Sequence, residues 1–175
     1  QILFSNDAFG QHIASSERLA NELPIGIVLE EAKKYYANIV LPYSRQVQKV
    51  LEAAAPLAIS MICPSHGVVW TEDNIPLILA EYKKWAYSVS DQHSALVIYD
   101  TMWKSTQIMA YAIHETFEKL GIRSKLLNLQ HNHISDIMTD IISAKFIAVG
   151  SPTLNSSILP TVAAFMYYLK GLSPK

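Results

Sequence analysis

A carboxylate at Asp7, an imidazole at His66 and two hydroxyl-rich runs, residues 101–106 (TMWKST) and 151–155 (SPTLN), are the groups in this sequence with chemistry to offer. Asp7 sits in the turn Ser5-Asn6-Asp7-Ala8-Phe9-Gly10 that follows a short apolar strand. It suits a turn or cap, and equally a hard anionic ligand for a cation. His66 lies in Pro64-Ser65-His66-Gly67 after a second apolar run. Neutral imidazole is a natural ligand for iron or zinc, yet a lone loop histidine is also a common structural or solvent-facing residue. Thr101, Met102, Trp103, Lys104, Ser105 and Thr106 link an apolar strand to an amphipathic helix. Their hydroxyls, the loop amides and the positive end of the helix dipole suit an anion, a phosphate first of all. As N-caps, the same hydroxyls would contribute ~1 kcal/mol and nothing more. No glycine lies between Asp100 and Tyr111, so neither the Walker pattern nor the dinucleotide fingerprint is present. Ser151, Pro152, Thr153, Leu154 and Asn155 occupy the matching place after a later strand.

The elements that must position these groups follow from periodicity. Residues 2–5 read as a strand, and residues 15–23 as loop or irregular helix. Two helical stripes come next, Ala32 to Val40 ended by Pro42, and Val47 to Ala54 ended before Pro56. Tyr35 and Tyr36 read as packing residues, with no chemistry assigned. Residues 57–63 read as a buried strand delivering His66 to its loop, with Cys63 packing as a small hydrophobe. A helix capped by Asp73 or Asn74, with Pro76 near its start, carries Leu77, Ile78, Tyr82 and Trp85. Periodicity then fails over YSVSDQHS, which places a domain boundary near residue 90.

Residues 95–99 form a brief β-rich run, and Ile108, Met109, Ala112, Ile113, Thr116, Phe117 and Leu120 mark one buried helical stripe, stopped by Gly121. A strand over 123–129, a helix carrying Ile134, Ile137, Met138, Ile141 and Ile142, a strand over 145–150 and a helix from Pro160 to Lys170-Gly171 complete the chain. His131 and His133 read as a solvated turn, and Ser151 to Ser157 as a strand-to-helix connector. Strands alternating with helices predict a doubly wound parallel sheet whose ligand lies beyond the carboxyl ends of its strands.

Composition narrows the class. Half of the 175 residues are hydrophobic and 17% are charged, enough to bury a core. A formal charge of -1 argues against nucleic acid or an anionic membrane as the main partner. The one cysteine excludes an internal disulfide framework and points to a reducing, cytoplasmic setting. No run reaches the ~20 apolar residues of a membrane helix. The chain opens at Gln1 directly into ILFS, which reads as a beginning inside a domain.

The passages Tyr99-Asp100-Thr101-Met102-Trp103-Lys104-Ser105-Thr106 and Gly150-Ser151-Pro152-Thr153-Leu154-Asn155, with Ser5-Asn6-Asp7-Ala8-Phe9-Gly10 and Pro64-Ser65-His66-Gly67 upstream, resemble the flavodiiron proteins in the right order along the chain. That family fuses a metallo-β-lactamase-like di-iron domain to a flavodoxin-like domain. The resemblance implies an α/β fold: the C-terminal part of a metallo-β-lactamase-like αββα sandwich over residues 1–90, then the first half of a flavodoxin-like doubly wound sheet over residues 91–175. It implies that Asp7 bridges two irons and that His66 is the last metal-ligand histidine. It further implies that residues 101–106 hold the phosphate of flavin mononucleotide (FMN) while residues 151–155 meet its ring and ribityl chain.

The activity implied is reduction of dioxygen to water or of nitric oxide to nitrous oxide, with electrons received from a rubredoxin, a flavin reductase or a reduced deazaflavin. The family's head-to-tail pairing implies a homodimer or homotetramer. The departures from the family pattern lie upstream of Asp7, where its His-x-Glu-x-Asp-His ligands have no counterpart in this sequence, and at the far end, where two strands and a third flavin loop have none. Two other classes stay open: a flavin-binding electron carrier on a metal-free scaffold, and a non-catalytic interaction module. Asp7 and His66 together weigh against the first, and the two flavin loops against the second.

Overall fold

Alternating burial along Ile2–Asn6 marks β1, which pairs in parallel with β2, Met61–Pro64, from Ile2 opposite Met61 to Asn6 opposite Pro64. A two-residue strand β3, Trp70–Thr71, adds antiparallel to β2. The computed structural model describes residues 1–174; Lys175, the last residue of the expected second domain, lies outside the described residues. The chain divides into two compact units, Gln1–Val89 and Ser90–Lys175, each considered by itself below.

In the first unit, β2 is shorter than the run 57–63 predicts. Leu57 is exposed, and the chain before Met61 turns through hydrogen bonds from Leu57 to Ala54 and from Ile59 to Leu57. Nor does Pro42 break the helical path. Helix α1 (Ile25–Tyr35) continues through a π-helical stretch, Tyr36–Val40, and a 3-10 turn, Leu41–Tyr43, into α2 (Ser44–Ala54). Pro42 falls at the start of the tight turn, where its missing N–H leaves no bond unmade. The π-helical stretch changes the phase of the helix, and Tyr36 ends fully buried with its hydroxyl 2.8 Å from that of Ser44. Helix α3 (Ile75–Ala86) carries Tyr82 and Trp85 onto Tyr36 and Phe9, with ring centroids 4.2–5.4 Å apart. Such pairs contribute ~0.5–1.5 kcal/mol each beyond area burial. Asn74, expected to cap α3, makes no side-chain cap bond; its amide nitrogen is buried without a partner.

In the second unit the polar stretch after residue 90 is already strand. β4 spans Asp91–Tyr99 and lies between β5 (Arg123–Asn128) and β6 (Ala144–Gly150), parallel to both. Ala95 to Tyr99 are all buried, the near-continuous apolar run expected of a central parallel strand covered on both faces. β6 exposes Phe146, Ile147 and Val149.

Helix α4 (Ser105–Lys119) corrects the sequence reading. Ile108, Met109, Ile113 and Leu120, expected to be buried, are 42–71% exposed. The helix meets the sheet instead through Thr106, Ala110 and the half-buried Phe117. A small residue at the contact lets helix and sheet approach closely, whereas periodicity reports that a face is apolar and not which surface covers it.

Helix α5 (Ile134–Ile141) buries Ile137, Met138 and Ile141 as expected, and His133 caps it, Nδ1 accepting from the Ser135 amide at 3.3 Å. Between β6 and α6 (Pro160–Leu172) the expected connector is a hairpin, β7 (Thr153–Leu154) against β8 (Ser157–Ile158). Leu159 precedes α6 with no side-chain cap, so neither Asn155 nor a serine fills that role. Helix α6 runs through Gly171 and ends at Ser173 in the left-handed region. No helix among the described residues is long and apolar enough to cross a membrane.

Candidate functional site

The parallel pairing of β1 and β2 sends both of their carboxyl ends, and so both candidate metal-ligand loops, to one edge of the first unit. Asn6 fixes the two loops together: its carbonyl accepts from the Ser65 amide at 2.8 Å and its side-chain oxygen from the Ser65 hydroxyl at 2.9 Å. Beyond that clasp the Asp7 carboxylate and the His66 imidazole lie 3.6 Å apart, each about half exposed. A second clasp lies deeper. The fully buried Gln11 side chain donates to the carbonyls of Phe9 and Val68 and accepts from the Val68 amide at 2.7 Å. Gly67, at φ +85°, passes so close that a Cβ there would stand 2.0 Å from the Gln11 oxygen. The backbone beside His66 therefore has one path.

Two further side chains, Tyr35, to which the sequence assigned no chemistry, and His12, join this cluster. The Tyr35 hydroxyl donates to Asp7 Oδ1 at 3.0 Å. Burial, then that hydrogen bond and the carboxylate's charge, push its phenol up to about 12. The His12 ring stands edge-on to Tyr35 at 4.8 Å and lies 5.9 Å from His66. Tyr36, its neighbour in sequence, is pure core. Only the helical phase separates the two, and the π-helical stretch obscures that phase.

The chemistry of the donor set fits a divalent metal. A carboxylate and an imidazole, open to solvent and a few ångströms apart, can both reach one cation, or each a member of an adjacent pair, through ~2 Å bonds. Among the described residues no group of three or more metal-ligating side chains assembles. Asp7 and His66 thus fit as part of a larger donor set, not as a complete one, since such ions take four or more ligands.

In the second unit, Tyr99 of β4 lies opposite Gly150 of β6, so residues 100–104 and 151–156 leave adjacent strand ends on the carboxyl edge of the sheet. Lys104 enters α4 in the left-handed region, φ 68°, and no side chain caps the helix. That disposes of the cap reading for Thr101, Ser105 and Thr106. The amides from Met102 to Gln107 have no partner among the described residues, and the first α4 bond outside the helix runs from Ile108 to the Lys104 carbonyl. Thr101 Oγ1 is buried without a partner. Orphaned first-turn amides on the positive end of a 15-residue helix, with an unsatisfied hydroxyl beside them, fit a phosphate.

Thr106 is buried, and its methyl carbon would lie 3.0 Å from a Cβ at residue 150, so any side chain there would push Thr106 by a few tenths of an ångström. Met102 and Trp103 are exposed, Trp103 by 86%. In the second loop, Ser151 accepts from the Leu159 amide and donates to the Pro152 carbonyl, both at 2.9 Å. Asn155 and Ser156 both take positive φ at the hairpin tip.

Known proteins share this arrangement. The Flavodoxin family profile matches residues 97–174. The chain is 42% identical over 176 residues to a nitric oxide reductase of Moorella thermoacetica, covering 99% of this chain and 44% of that protein. Among solved structures, the rubredoxin oxygen:oxidoreductase of Desulfovibrio gigas superposes with a TM-score of 0.95 at 40% identity, over 99% of this chain and 44% of that one. The flavodiiron protein of Giardia intestinalis does so with a TM-score of 0.93 at 37% identity, over 98% and 42%. The chain therefore spans less than half the length of the relatives it matches. Its fold is α/β, an αββα-sandwich portion followed by a flavodoxin-like parallel sheet.

Proposed function

The chain belongs to the flavodiiron proteins, and from that we propose that it is part of an oxidoreductase reducing dioxygen to water or nitric oxide to nitrous oxide. FMN would be held by residues 101–106 and 151–155, and a di-iron centre would draw ligands from Asp7 and His66. The division of labour runs near residue 90, with the metal residues before it and the flavin residues after. When bound, the flavin supplies electrons and the iron pair supplies the place where the gas is reduced.

This chain's own residues have narrower tasks. The first-turn amides of α4 and the Thr101 and Ser105 hydroxyls bind the phosphate. Met102 and Trp103, exposed at the same edge, offer apolar surface to the flavin ring. The Asp7 carboxylate has two oxygens to share between two cations, and the Tyr35 hydroxyl on Oδ1 restricts its rotation. His66 contributes neutral imidazole nitrogen. A rubredoxin, a flavin reductase or a reduced deazaflavin would deliver the electrons, and a homodimer or homotetramer would be the working assembly.

The observation that carries this reading is the meeting of Asp7 and His66 at 3.6 Å in a chain whose other unit presents an uncapped helix end to an anion. The names of the related proteins, a nitric oxide reductase and a rubredoxin oxygen:oxidoreductase, support it. Metal and flavin stoichiometry on the full-length protein tests it. Two irons with one flavin are expected. Flavin alone would make the protein an electron carrier, and neither would make it an interaction module.

A further inference from the structure

Under the phosphate loop lies a carboxylate to which the proposed function gives no task. Asp100 is 1% exposed. Its Oδ1 accepts from the Thr101 amide and from Gln130 Nε2, both at 2.6 Å, and its Oδ2 accepts from the Thr161 hydroxyl. The three donors come from three stretches of chain: the loop that opens α4, the loop between β5 and α5, and the first turn of α6, just after the hairpin of β7 and β8. Asp100's own amide donates to the Gly150 carbonyl at 3.2 Å, so the residue is bonded to the first flavin loop, to the elements on either side of the second, and to the loop after β5.

A buried carboxylate is retained at a cost unless it is hydrogen-bonded, and here both oxygens have donors. A carboxylate beside a phosphate would repel it, so Asp100 is no phosphate ligand. Asp100 engages the Thr101 amide, turning the loop so that the later amides, from Met102 on, are left open. We propose that Asp100 is a positioning residue of the flavin site, its carboxylate setting the spacing between residues 101–104 and 151–159 by gathering one donor from each of these three stretches. This rests on the reading that those loops hold FMN.

The test uses full-length protein, stripped of flavin and titrated with FMN by fluorescence quenching, alongside a Ser105→Ala/Thr106→Ala double variant. Asp100→Ala should raise the FMN dissociation constant by about tenfold or more, the equivalent of at least one charge-assisted hydrogen bond. Asp100→Asn should recover most of the affinity, because its Oδ1 keeps both N–H donors while Nδ2 donates to the Thr161 hydroxyl, which can accept. A purely structural role would lower the melting temperature of Asp100→Ala and leave the affinity of its folded fraction at the wild-type value, which would overturn the proposal. Where Asp100→Ala does not fold, Gln130→Ala and Thr161→Val decide, each removing one donor; unchanged affinity in both would overturn it too. Weaker binding by the double variant with unchanged binding by Asp100→Ala removes the positioning role alone. Wild-type affinity in both means that the phosphate lies elsewhere, and the flavin reading falls with it.

Discussion

At Tyr35 a residue that looks like core turns out to face a carboxylate. Its phenol is pushed up to about 12 by burial and by Asp7, above the ~10 of a free tyrosine. The folded state therefore favours the neutral form. That contribution is fully present below pH ~10 and is lost as pH rises through about 12. Spectrophotometric titration of Tyr35→Phe should lack the late phenol step near that pH, and a step that persists would assign it to another tyrosine. Asp7 and His66 were legible because each sits in a short motif after an apolar strand. Tyr35 and Gln11 were not, since their roles depend on which way a helix is phased and on a loop clasp between residues 57 positions apart. The orphaned Thr101 hydroxyl was legible only as one hydroxyl among several; that it lacks a partner is a property of the folded loop.

Secondary structure was read well where local pattern and packing agree. Helix α5 shows its inward face plainly, and Met138 is fully buried. Met138→Ala should cost about 2–5 kcal/mol in urea unfolding of the chain, the usual loss for a core truncation. Leu120→Ala, at the exposed end of an equally apolar stripe, should change stability by less than ~0.5 kcal/mol. Similar losses at both positions would mean that the α4 face is covered after all. The hairpin after β6 escaped notice for another reason. A two-residue turn with both φ positive is usually announced by Asn-Gly; here it is Asn155-Ser156, and the two-residue strands are too short to alternate. The long reach of β4 back to Asp91 was masked by polar residues, although Asp91 pairs with Ala144 of β6 and Ser94 with Arg123 of β5.

Across the whole molecule, the boundary near residue 90 was visible as a loss of periodicity and the doubly wound sheet as strands alternating with helices, whereas the sandwich portion was implied only by the family resemblance; the parallel pairing in β5-β4-β6 follows from helices separating every strand pair. What sequence alone could not give is the register that joins β1 to β2. Ile2 meets Met61, and Ser94 meets Arg123, so the first sheet closes a loop roughly twice as long as the second. Each doubling costs about 0.6 kcal/mol more in closure entropy. The difference also has a temporal meaning. In refolding of this chain, β1 meets β2 only after the longer loop, with its two helices, has closed, whereas β4 meets β5 across a single helix. Pulse-labelling of amides during refolding should accordingly find Leu96 to Tyr99 protected before Leu3 and Phe4, and the reverse order would show that the aromatic cluster, not strand pairing, nucleates the first unit. The part of the protein that would carry the cation ligands is then the slower to acquire its shape, and the edge that would receive the anion can be ready before it.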